Sequence, residues 1–163
     1  MKKLVMVMVV LGWVSGANAA LSLVGAPTEP LDIGEAATIT VNNSEGGAYS
    51  GWLEIVNPAI VDFSATPEFT AGGNPAGNST MTEHEEFGAW YEFVIASFNP
   101  AQPIVAGDHI LVHVFGVSEG TTQLNLYDAS GNVVLKSADI SVIPEPATIA
   151  LLCAGALFLR RRK

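Results

Sequence analysis

The sequence predicts an all-β fold, an antiparallel β-sandwich of about eight to nine short strands. Three observations lead there. Between residues 20 and 143 hydrophobicity alternates every two residues, in short runs. Turn-forming Gly, Asn and Pro separate those runs. No window of this region carries a capped apolar stripe of helical period. Its 124 residues suffice for one domain with its own core.

In chain order, strands are expected near Leu21–Val24, Ala37–Val41, Ser50–Val56, Ile60–Phe63, Ala89–Ala96, Ile110–Val117, Gln123–Tyr127, Val133–Leu135 and Asp139–Val142. Turn residues stand between them at Asn42–Gly47, Gly72–Pro75, Asn99-Pro100 and Ser130–Asn132. Thr66 to Glu86, rich in Gly, Asn, Thr and Glu, reads as a surface loop with at most a short strand or turn. Alternation also sorts side chains. Trp52 and Glu54 fall on one face of their strand, with Leu53 and Ile55 on the other. In the same way Trp90 and Glu92 oppose Tyr91, Phe93 and Ile95.

Charge narrows the partners. The middle region has one cation, Lys136, against fifteen Asp and Glu, a net charge of −14, whereas the whole chain carries −9. Nucleic-acid binding draws on Lys and Arg contacts to phosphate, so that partner is excluded; anionic lipid is disfavoured for the same reason. The charge equally suits an exported domain that must stay soluble. Cys153 is the chain's single cysteine, which leaves the middle region without disulfides or thiolate zinc sites.

The ends have a different character. Lys2 and Lys3, the apolar run Leu4–Val14 and the small residues Ala17-Asn18-Ala19 have the layout of a secretory signal peptide, residues 1–19, cut after Ala19. Such a signal addresses a chain to the Sec export machinery. At the other end Ala147–Leu159 is uncharged. Its six large apolar residues favour membrane insertion by about 2–3 kcal/mol. As a helix it covers only about 20 Å of the ~30 Å hydrocarbon layer. The cations Arg160, Arg161, Arg162 and Lys163 then stop transfer and stay cytoplasmic. Both ends place the middle domain outside the cytoplasm.

Pro144-Glu145-Pro146-Ala147-Thr148, the apolar stretch and the basic end together resemble the PEP-CTERM sorting signal of Gram-negative bacteria. The resemblance implies recognition of the Pro144-Glu145-Pro146 triplet by an exosortase, a membrane protease that releases or transfers exported proteins, often alongside exopolysaccharide production. Residues 144–163 are accordingly expected to form a sorting segment with a transmembrane helix. They would hold the protein transiently at the inner membrane before it reaches the cell surface, outer envelope or extracellular matrix.

Two stretches of the middle region, Gly51–Phe63 and Ala106–Phe115 followed by Glu119–Leu126, resemble the cohesin-like, jelly-roll type sandwiches of cellulosome scaffolds and exported surface proteins. The first matches a strand, an Asn-Pro turn and a short strand. The second matches a late strand, a Gly-Thr turn and the next strand. Asn57 stands where Asp is common in that family, and the loop before Glu83 is unusually long.

Candidate sites are few. Were their strands adjacent, Trp52 with Glu54 and Trp90 with Glu92 would form a flat aromatic surface edged by acceptors, suited to neutral sugars; the same pattern fits indoles half-buried under a loop. Glu83, His84, Glu85 and Glu86 cluster in the long loop. Glu83, Glu85 and Glu86 are partial calcium ligands or a solvated charged surface. His109 and His113 share a strand face but stand about 13 Å apart, too far for one zinc ion. No Gly-x-Ser-x-Gly, His-Glu-x-x-His or phosphate-cradling loop is present. The expected protein is non-catalytic and without cofactor beyond calcium. It is a structural or adhesive component associated with exopolysaccharide, or alternatively a carbohydrate-binding module or a module that docks another exported protein.

Overall fold

The computed structural model describes residues 21–84 and 89–144. The signal segment 1–19, Glu85 and Glu86, and the sorting segment from Glu145 onward fall outside the described residues. Among the described residues eleven strands make two sheets: β1 (Leu21–Val24), β2 (Leu31–Asp32), β3 (Ala36–Asn43), β4 (Tyr49–Ile55), β5 (Val61–Phe63), β6 (Glu68–Phe69), β7 (Thr80–Glu83), β8 (Trp90–Ile95), β9 (Gly107–Gly116), β10 (Gly120–Tyr127) and β11 (Val134–Ile143). One sheet runs β1-β3-β9-β5 with β6 also on β9, and the other runs β2-β11-β10-β4-β8-β7. Every pairing is antiparallel except the short parallel contact of β2 with β11.

Period-two alternation fixes which side chains meet between the sheets. On β4, Tyr49, Leu53 and Ile55 are buried while Ser50, Trp52 and Glu54 face outward. On β8, Tyr91, Phe93 and Ile95 are buried, and Trp90, Glu92 and Val94 face outward. Ile39 and Val41 of β3, Val112 and Val114 of β9, and Leu124 and Leu126 of β10 complete the core with no exposed surface. Each such side chain contributes about 1.5–3 kcal/mol on burial.

The long loop is more ordered than its composition suggested. It contains both β6, paired to β9, and β7, which forms the edge beside β8. These strands have few apolar residues because each pairs along one side only, so their sequences lack the alternation that reveals a central strand. The last two predicted strands are one continuous ten-residue strand. Lys136 and Ser137 do not interrupt it, because they pair in register with Leu126 and Asn125.

His109 corrects another expectation. Val41 pairs with Ile110 but Asn42 pairs with Asp108, so His109 is the extra residue of a β-bulge. The bulge turns its ring inward to full burial, while His113 stays outward and hydrogen-bonds Thr38 Oγ1 at 3.0 Å. The two histidines therefore occupy opposite faces. In the neutral ring His109 Nε2 donates to Val105 O at 2.7 Å and Nδ1 accepts from the Tyr49 hydroxyl at 3.1 Å. Tyr49 also stacks on the imidazole at 5.6 Å, and burial raises its phenol pKa above the ordinary value.

Candidate functional site: an aromatic cleft on the six-stranded sheet

β4 and β8 are neighbours, and the register sets Trp52 opposite Glu92 and Glu54 opposite Trp90. All four predicted residues thus share one patch of the outer face. Cross-strand pairing on a single face brings such side chains within contact distance. The indoles do not form the expected flat surface. Their centroids are 6.2 Å apart with planes at 74°, so they make a corner.

Neighbouring elements lock that corner. Trp90 stacks on Tyr127 at 5.1 Å and 26°. Trp52 donates its Nε1–H to Ala129 O at 3.4 Å, which ties it to the β10–β11 hairpin. There Gly131, at φ +68°, allows the tight turn that lays Ser130 and Gly131 against the indole. Trp52, Trp90, Ser130 and Gly131 line a cleft of about 390 Å³, near the lower end of the roughly 300–1,000 Å³ typical of small-ligand pockets.

The carboxylates are held by named donors. Glu54 Oε2 accepts from the Tyr127 hydroxyl at 2.5 Å and from Asn125 Nδ2 at 3.3 Å; Ser137 in turn donates to Asn125 Oδ1 at 2.7 Å. Burial, and then this bond to Glu54, raise the Tyr127 phenol pKa. Glu92 Oε2 lies 3.3 Å from His84 Nε2, whose ring also packs on Trp52 at 4.9 Å. In the hairpin Asp128 accepts from Ser130 Oγ and the amides of Asn132 and Val133, and the Ser130 bond leads in lowering its carboxyl pKa.

Asn125, Tyr127, His84, Ser130 and Gly131 were not expected at this patch. Alternation along β10 does place Asn125 and Tyr127 on one face, but nothing in the sequence says which strand lies beside them. Of the calcium candidates, Glu83 stands opposite Tyr91 in register and interacts with its phenol, facing away from the cleft. Glu85 and Glu86 lie outside the described residues. Among the described residues no group of three or more His, Cys, Asp or Glu converges on a metal position. Nor, among them, is any helix long and apolar enough to cross a membrane.

The architecture is that of cohesin modules. The third cohesin of ScaC from Acetivibrio cellulolyticus, solved with the ScaB dockerin, is 14% identical with a TM-score of 0.52, over 70% of this chain and 94% of that one. The cohesin module of a Clostridium perfringens family 33 glycoside hydrolase is 14% identical with a TM-score of 0.53, over 78% and 100%. CaCohA2 from Clostridium acetobutylicum is 10% identical with a TM-score of 0.55, over 75% and 88%. Residues 142–163 match the PEP-CTERM protein-sorting motif. The chain thus joins a cohesin-like domain to a PEP-CTERM sorting signal, which implies exosortase-dependent export. A comparison with curated proteins gives no match.

Proposed function

We propose that this is a non-catalytic exported protein. Its signal, residues 1–19, is removed; its sandwich, 20–143, docks a second exported protein; and its segment 144–163 holds it at the membrane until an exosortase recognises Pro144-Glu145-Pro146. The observation that carries the docking reading is the cleft itself. Two indoles and two carboxylates stand on the open face of a rigid sheet, and buried aromatics anchor protein interfaces more often than other side chains. Cohesins of this fold have been solved in complex with dockerins, among them the ScaC cohesin with the ScaB dockerin, which supports a protein partner. The matrix or cell surface is the destination that the sorting signal suggests.

Sugar binding is the second reading. It is favoured by the same half-buried indoles beside acceptors and disfavoured by their perpendicular setting, which offers no flat surface to a pyranose ring. One experiment separates the two. Detergent-solubilised full chain serves as bait for the exported proteins of the producing cells, and in parallel is run over polysaccharide columns. The docking reading expects capture of one protein that falls at least tenfold in the Trp52→Ala/Trp90→Ala double variant, with column retention unchanged. Column retention that depends on the two indoles, without protein capture, would establish the sugar reading instead.

A further inference from the structure

Resting on the docking reading, we propose that the Trp52–Trp90 cleft receives one arginine side chain of the partner protein, stacked on indole and hydrogen-bonded to Glu54 or Glu92. The cleft is an aromatic corner, and Glu92 and Glu54 stand beside it as the cross-strand partners of Trp52 and Trp90. A cation is attracted to an indole face within about 6 Å of the ring centroid. The two centroids are 6.2 Å apart, so a charge lodged in the corner lies within that reach of both. Each carboxylate is fastened through Oε2, and among the described residues neither Oε1 accepts a hydrogen bond.

Among the described residues no Lys or Arg stands at the cleft. Lys136 is the one Lys or Arg of the sandwich, and it leaves the sheet from the opposite side, in register with buried Leu126. His84 shows what the patch accepts: its imidazole packs on the Trp52 ring and reaches Glu92 Oε2. A guanidinium repeats both contacts, because it is planar, stacks on aromatic faces and presents paired donors to carboxylate oxygens. An ammonium offers the charge without the plane. The domain charge of −14 adds long-range attraction for a basic partner.

The test uses the full chain in detergent, titrated with N-acetyl-arginine amide, its neutral isostere N-acetyl-citrulline amide, N-acetyl-lysine amide and a neutral oligosaccharide. Indole Nε1–H resonances of Trp52 and Trp90 report binding. Saturable shifts are expected with the arginine compound, at least fivefold weaker with citrulline, and weaker with lysine. The Glu54→Gln/Glu92→Gln variant should lose at least fivefold in arginine affinity with its circular dichroism unchanged. Equal affinity for arginine and citrulline overturns the proposal, as does a response to the oligosaccharide alone. Bulk charge attraction is ruled against separately: arginine binding undiminished in Trp90→Ala would place the cation elsewhere and remove the idea. If partner capture is still lost in the double Trp variant while arginine has no effect, docking stands and the cation falls.

Discussion

Gly51 lies one residue before Trp52, and an added Cβ there would stand 2.5 Å from the Tyr127 carbonyl oxygen and 2.9 Å from the Phe93 ring. Backbone cannot yield as a flexible side chain does. Gly51→Ala should therefore cost about 1–3 kcal/mol, read as a lower urea midpoint with unchanged slope, and should loosen the neighbouring indole. Asp128 governs the hairpin that borders the cleft. Its carboxyl pKa is lowered in the folded state below the ordinary 3.8, so the unfolded chain binds the proton more readily and stability from this group rises with pH. That contribution is complete above about pH 4–5 and is lost as acid titrates the folded carboxylate. Asp128→Ala should lower Tm at pH 7 and have a shrinking effect toward pH 2, measured by thermal melts across that range.

At the scale of the element, the bulge in β9 matters most. It aims His109 into the interior, where Tyr49 of β4 and the Val105 carbonyl satisfy its two nitrogens, and so joins the two sheets by a polar bridge. Tyr49→Phe keeps the ring contact with Phe93, whose centroid lies 5.7 Å away, but strands a buried acceptor. The expected loss is about 1–3 kcal/mol, seen in chemical denaturation. His109→Leu in the Tyr49→Phe background should then add less than it does alone, because the partner is already gone. The edge strands tell a complementary story. β6 and β7 pair on one side only, and the sheet chose them by register with β9 and β8 rather than by their own alternation.

For the whole molecule, the proposed function gives the acidic sandwich and the sorting segment separable roles. Substituting Pro144, Glu145 and Pro146 by Ala should leave the sandwich folded while abolishing exosortase processing. The protein would then remain in the membrane fraction, roughly 2 kDa larger than the processed form, as expected for removal of a C-terminal tail of this length. Immunoblots of fractionated cells, with and without the protease, check this. An unchanged size and distribution would remove the sorting role of the triplet.

The sequence by itself determined the fold class, the inward and outward faces of β4 and β8, and the sorting motif, because each depends on local periodicity or contiguous residues. Leu53 and Phe93 had to be buried wherever their strands lay, and Trp52 and Trp90 had to face away. Only the tertiary structure decided that β4 and β8 are neighbours, that Tyr127 and the Asp128–Val133 hairpin close the cleft, that the indoles meet at 74°, and that a bulge separates His109 from His113. Those outcomes rest on strand order and on a single inserted residue. Both are fixed by the competition among all possible pairings, where alternation alone gives every outward-facing strand the same appearance.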